Sequence, residues 1–113
     1  GIDARDGWVA IQGWEEISKI RALDLSLQMK EFGIRHIVYT DISRDGMLSG
    51  PNVEATKALT KETGLDIIAS GGVSCIEDLE QLYQEDICGA IIGKALYEKR
   101  IDLKEAVVRF EHR

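Results

Sequence analysis

The chain has 113 residues, 44% of them hydrophobic and 30% charged, with a net charge of −6 at pH 7. That length and apolar share suit one domain with a buried core and exclude a disordered chain, while the acidic balance, with an isoelectric point near 4.9, argues against nucleic acid as a partner, because such binding rests on Lys and Arg neutralising phosphates. No run of about 18 apolar residues suggests a membrane span and no charged, apolar, small-residue leader opens the sequence, so the cytoplasm is the expected compartment. Cys75 and Cys88 are isolated and lack metal-ligand spacing, so they read as reduced thiols, with Cys75 at a helix start expected to be a small buried residue.

Residues 1–4 read as a strand, and an opening at Gly1 without methionine, directly in strand-like sequence, leads us to expect a fragment. Trp8-Val9-Ala10-Ile11, followed by Gly13-Trp14, reads as a short extended excursion from the exit loop of that strand. Residues 16–32 are expected to form a helix on length and composition, although Ile17, Ile20, Leu23, Leu25, Leu27 and Met29 spread over most of its circumference. Residues 34–40, 66–70 and 88–93 are apolar nearly throughout, as parallel strands covered on both faces are. Between them, Asn52 behind Pro51 begins a helix that stops at Gly64. Ser74 as N-cap with Glu77 at N3 opens another, with Ile76, Leu79, Leu82 and Tyr83 on one face. Asp102 caps the last helix, with Glu105 at N3 and Leu103, Ala106, Val107 and Phe110 on its apolar side.

Strand and helix alternating every 25 to 30 residues or so specify a parallel α/β fold with right-handed crossovers. Four such units make half of an eight-unit βα barrel. An open doubly wound sheet is the competing fold, but Asp3-Ala4-Arg5-Asp6-Gly7 is not the glycine-rich turn expected after its first strand.

The strongest functional signal is a pair of glycine turns at consecutive strand exits, Ser70-Gly71-Gly72 and Gly93-Lys94, which lie 21 residues apart from Gly72 to Gly93. Each is expected to open a helix, so backbone N–H groups and two helix N-termini would surround one point, as suits a phosphate dianion. Either pair alone is an ordinary tight turn; the repetition favours the phosphate reading, since βα barrels build such sites after strands 7 and 8. Asp3 with Arg5 and Thr40 with Asp41 stand at strand exits, and Arg5-Asp6-Gly7 is echoed by Arg44-Asp45-Gly46. The C-terminal strand ends form the reactive face of a barrel, so Asp3 and Thr40 would border the same pocket. A carboxylate there is either a general acid or base or a structural cap, and Asp6, Asp41 and Asp45 carry the same two readings. Trp14 either stacks on a flat heterocycle or packs on the outer helices. His36 lies at the opposite strand end and His112 in the tail, so neither is a good catalytic candidate.

The run Asp3-Ala4-Arg5-Asp6-Gly7-Trp8-Val9-Ala10-Ile11-Gln12-Gly13-Trp14, then Thr40-Asp41-Ile42-Ser43-Arg44-Asp45-Gly46, Ala69-Ser70-Gly71-Gly72-Val73 and Ile92-Gly93-Lys94-Ala95-Leu96, resembles the phosphoribosylformimino-5-aminoimidazole carboxamide ribotide isomerase family of histidine biosynthesis. The resemblance implies a parallel TIM barrel, with residues 1–113 as a single unit supplying its C-terminal half, strands five to eight. It implies an Amadori rearrangement of an aminoaldose to an aminoketose without metal or organic cofactor. Asp3 would be the general acid and Thr40 its support. Arg5, Trp14, Asp45 and Gly46 would contact substrate, and Ser70, Gly71, Gly72, Gly93 and Lys94 would hold a phosphate. The expected partners are a phosphorylated ribonucleotide and either the N-terminal half-barrel or a second copy, not nucleic acid or a membrane. Strands one to four, with the first-strand aspartate that acts as base, have no counterpart here, so the chain alone is expected to be inactive. The alternatives are the cyclase subunit of imidazole glycerol phosphate synthase, a dual-substrate isomerase that also acts on phosphoribosylanthranilate, and a non-catalytic half-barrel assembly fragment. Gly13-Trp14, and Thr40-Asp41-Ile42 in place of a Thr-Ser-Ile type sequence, favour the isomerase over the cyclase.

Overall fold

The computed structural model describes residues 1–111. Four strands, β1 (Ile2–Arg5), β4 (His36–Asp41), β5 (Asp66–Ser70) and β6 (Gly89–Ala90), run parallel in that order. Helices α1 (Ala22–Glu31), α2 (Val53–Thr63), α3 (Ile76–Gln84), α4 (Lys94–Tyr97) and α5 (Leu103–Ala106) fill the connections, and α5 continues as a wider π-helical turn over Val107–Glu111. Two more strands, β2 (Trp8–Ile11) and β3 (Glu16–Arg21), form an antiparallel hairpin on the free edge of β1. The result is a parallel α/β sheet, half-barrel-like, with an antiparallel ribbon at one side.

Alternation along the strands decides what is buried. Ile2, Ala4, Ile37, Tyr39, Ile67 and Ala69 share one face and pack into the helix layer, in two clusters centred on α1–α2 and on α3–α5. Ile67 is fully buried, which stabilises by roughly 2 kcal/mol. Val38 and Ile68, on the other face, are only half-buried, and the smallest dimension of the molecule, 19 Å, is that of one sheet and one helix layer. The sequence expectation of strands covered on both faces therefore holds for the helix side alone.

Three expectations need correction. Residues 16–21 are strand, not helix: the turn after Ile11 folds the chain back, Ala10 and Ile11 pair with Ile17 and Glu16, and the Ser18 hydroxyl donates to the Val9 carbonyl at 2.7 Å. Cross-strand pairing here overrides a composition that favoured helix, and the scattered isoleucines that made a poor helical stripe are strand residues. Secondly, α3 starts one residue late. Cys75 is its N-cap and the Asp78 carboxylate, not Glu77, accepts from Ser74 N (2.9 Å), Ser74 Oγ (2.7 Å) and Cys75 N (3.3 Å). Cys75 is half-buried, not buried, and Cys88 is exposed, both as free thiols. Thirdly, the last strand is two residues, not six, because it has a partner on one side only; ladder bonds continue just to Ile91, whose N–H donates to the Ala69 carbonyl at 2.8 Å.

Of the remaining boundaries, β4 begins at His36, two residues after the expected Ile34, while both ends of α2 and the start of α5 agree. Asn52 caps α2 by accepting from Ala55 N at 3.1 Å, and Gly64 closes it in the left-handed conformation. Asp102 caps α5 through Lys104 N and Glu105 N. Ala106 is buried and Phe110 packs on the core, but Leu103 and Val107 stay largely exposed along an open groove of about 530 Å³ between α3 and α5. His36 opens β4, 3.4 Å from Asp66 across an exposed pair. His112 lies outside the described residues.

Candidate functional site

Register brings the expected residues to one edge. Asp3 pairs with Thr40 and Thr40 with Ser70, so the three side chains share the inner face in a row at about 4.8 Å per strand. Arg5, two residues beyond Asp3, keeps the same face and is exposed. Above the row sits the hairpin tip, where the Trp14 indole N–H donates to Asp3 Oδ2 at 2.7 Å. Trp14 is thus placed over the strand exits at Asp3 and not among the outer helices. Gln12, Gly13 and Trp14 all have positive φ, of 53°, 66° and 75°, a costly run for two residues that carry a Cβ.

Further along the edge a narrow cleft of about 60 Å³ is lined by Asp45, Gly46, Ser70, Gly71, Gly72, Gly93 and Lys94, together with Leu48, Val73 and Ile91. All five phosphate candidates and two of the substrate candidates meet there. The Lys94 ammonium donates to the Gly46 carbonyl at 3.4 Å, so the one cation among the described residues of the cleft bridges its two lips. Only one helix starts at the cleft. Gly93 is the N-cap of α4, a single turn, whereas α3 begins at Ile76, four residues past Gly72. The expected pair of helix termini is therefore not formed, and Lys94 is the positively charged side chain at the cleft.

The Gly71-Gly72 turn is required by its surroundings. Both residues have positive φ, 97° and 86°; a Cβ on Gly71 would sit 2.7 Å from the Asp41 carbonyl oxygen, and one on Gly72 would strike the Gly50 carbonyl. Gly50 N–H donates to the Gly72 carbonyl at 2.9 Å. This close approach of three backbones shapes the cleft, and it explains glycine here without reference to a ligand. Gly93 differs: a Cβ there would meet nothing within 4 Å.

Sequence reasoning did not find the support beneath this cleft. Asp41, 5% exposed, accepts from Ser43 N (3.0 Å), Ser43 Oγ (2.5 Å) and Asn52 Nδ2 (2.7 Å), and the Arg44 guanidinium donates to the carbonyls of Gly50 (3.2 Å) and Pro51 (3.0 Å). Of the two readings for Asp41, the structural one is what its contacts display. The Asn52 cap was legible, but its second bond, to a residue eleven positions away, has no local signature. Beside Asp41, burial and then the carboxylates of Asp41 and Asp6 raise the Tyr39 phenol above its ordinary value of 10. Among the described residues no cluster of three or more His, Cys, Asp or Glu forms a metal site, and no helix is long and apolar enough to cross a membrane.

Comparison with known proteins matches residues 1–102 to the model of the family described as histidine biosynthesis protein. The chain is 60% identical over 111 residues to the 1-(5-phosphoribosyl)-5-((5-phosphoribosylamino)methylideneamino) imidazole-4-carboxamide isomerase of Lachnoclostridium phytofermentans, covering 98% of the chain and 46% of the relative. It is 57% identical to the isomerase of the same name from Thermodesulfovibrio yellowstonii (95% of the chain, 44% of the relative), and 55% identical to that of Clostridioides difficile (93% and 44%). The chain thus spans about half the length of these relatives. The resemblance read from four motifs and the half-barrel-like sheet agree with this match: the chain belongs to the histidine biosynthesis protein family, whose fold is the βα barrel.

Proposed function

We propose that residues 1–113 form the C-terminal half of a βα-barrel isomerase that converts a phosphoribosyl aminoaldose into the aminoketose, and that this half supplies the general acid and one phosphate site. The observation that carries the reading is the gathering of Asp45, Gly46, Ser70, Gly71, Gly72, Gly93 and Lys94 around one cleft, joined by strand register to Asp3 and Thr40. One phosphate anchored on the cleft amides and Lys94 would bring a ribose over the Asp3–Thr40 row. There Asp3 protonates the ring oxygen as the C1–O bond opens to a protonated Schiff base, and a base from the other half removes the C2 proton; the enaminol so formed becomes the aminoketose as C1 takes up a proton and the C2 hydroxyl gives its own up. Trp14, which now donates to Asp3, would release that oxygen when its indole turns to stack on the heterocycle.

The inner face supports the need for a second half. Val38 and Ile68 are half-buried and Ile91 is 46% exposed, and β6 offers an unpaired edge. The N-terminal half of a full-length relative, or a second copy of the chain, would cover both. The reading is tested by a chimera joining the N-terminal half of the L. phytofermentans isomerase to this chain. Aminoaldose turnover by the chimera but not by the chain alone is the expected result. Asp3→Asn should lower its kcat about 10² to 10⁴-fold with little change in KM, as loss of a transition-state proton donor does. Unchanged kcat in Asp3→Asn would remove the acid role, and turnover of the cyclase substrate instead would reassign the activity.

A further inference from the structure

Asp41 ends β4 one residue after Thr40, so its side chain leaves the sheet on the opposite face, toward the helix layer and away from Asp3 and Thr40. Every contact its carboxylate makes is to a donor: Ser43 N at 3.0 Å, Ser43 Oγ at 2.5 Å and Asn52 Nδ2 at 2.7 Å. The Asn52 amide cannot turn over to suit another partner, because its Oδ1 accepts from Ala55 N at 3.1 Å. The backbone of Asp41 is equally engaged. Its carbonyl accepts from Arg44 N (3.1 Å) and Asp45 N (3.2 Å), which directs Asp45 and Gly46 to the cleft, and it touches the position a Gly71 Cβ would take. Arg44 holds Gly50 and Pro51, and Gly50 holds Gly72. The contacts close a circuit from Asp41 through Asn52, Pro51, Gly50, Gly72 and Gly71 back to Asp41.

We propose that Asp41 is a positioning residue for the phosphate cleft: through Ser43 and Asn52 it fixes the backbone against which the Gly71-Gly72 turn rests, and it does not itself meet substrate. This inference rests on the phosphate reading of the cleft. A buried carboxylate with three donors and no path to the inner face has a geometric task, and loss of that geometry loosens the anchor of the remote phosphate in ground and transition states alike.

An exchange of partners separates geometry from charge. In Asp41→Asn the new amide must set an NH₂ group against a donor; in Asn52→Asp two carboxylates face each other. Combining them restores one donor and one acceptor across the contact, with an oxygen left for Ala55 N. In the chimera each single substitution is expected to raise KM about tenfold, and to weaken competitive inhibition by inorganic phosphate equally, with kcat within about threefold; the double variant should return both to within about threefold of the parent. Unchanged KM in Asp41→Asn overturns the proposal. So does a double variant no better than Asp41→Asn, since the carboxylate itself would then be needed. Should Asp41→Asn fail to fold, Ser43→Ala removes one donor and should raise KM about two- to threefold; no change there also overturns it. A parent chimera that phosphate does not inhibit would sink the phosphate reading alone. The circuit is then read by hydrogen exchange at Gly50 N–H, expected to be faster in both single variants and slow again in the double one, and overturned by equal rates in all.

Discussion

The two ends of the edge formed by the strand exits are built on different physical terms. Around the cleft, backbone lies against backbone: Gly71 on Asp41, Gly72 on Gly50, with Arg44, Asp41 and Asn52 tying the loops beneath. At the hairpin tip, Gln12 and Trp14 hold strained left-handed conformations on either side of Gly13, whose Cβ position meets nothing within 4 Å, and Trp14, 40% exposed, is attached to Asp3 by one hydrogen bond. A site that must hold a dianion in a fixed place gains from interlocked backbone, because there is little to reorganise on binding. A group that must turn to admit a heterocycle gains from weak attachment and stored strain. Under the proposed function, the contrast assigns rigidity to the phosphate end and motion to the tryptophan end.

Alanine at one glycine of each region tests this directly. Gly72→Ala combines a positive φ with a clash against the Gly50 carbonyl, and is expected to cost about 3 kcal/mol or more in urea unfolding, roughly 1–2 of it from the left-handed conformation and the rest from backbone displacement. A cost near 1 kcal/mol would mean that the loops yield, and that the cleft is not rigid. Gly13→Ala, with φ 66° and nothing within 4 Å of the added atom, should cost only about 1 kcal/mol, all of it conformational. A loss as large as that of Gly72→Ala would show the hairpin to be packed more firmly than its exposure indicates.

The smallest expected effect is electrostatic and samples both regions, since Tyr39 lies near Asp41 on the cleft side and Asp6 at the turn into the hairpin. Its phenol is raised above 10 by burial first, then by Asp41 and Asp6. The folded state therefore binds the phenolic proton more tightly than the unfolded chain, so this contribution to stability is complete below pH 10 and is lost as pH rises through the folded-state value. Unfolding free energy measured from pH 9 to 11 should fall, and Tyr39→Phe should flatten that fall. An unchanged slope in Tyr39→Phe would show that other groups carry it.

Much of this was legible in the sequence because it depends on short-range patterns. Apolar runs gave the parallel strands, Asn52, Gly64 and Asp102 gave helix ends, and the repeated glycine turns marked the residues that line the cleft. The misreadings fall where a non-local partner decides. Residues 16–21 have a composition suited to helix and become strand because β2 is folded against them. Residues 91–93 have the apolarity of a strand but lose it at an edge with a single neighbour. Glycine at 71 and 72 is readable as a turn, but that it is obligatory follows only from Asp41 and Gly50 arriving from another loop.

By itself the sequence determined the parallel βα order, the half-barrel expectation, and which residue types stand at the strand exits, since periodicity and turn chemistry act within a few residues of each other. Tertiary structure alone decided that Asp3, Thr40 and Ser70 stand in one row, that Trp14 reaches Asp3, and that Asp41 works beneath the cleft and not within it. Those facts depend on register and on hydrogen bonds between loops far apart in the chain, where the energy comes from groups meeting across space and leaves no periodic trace in the order of residues.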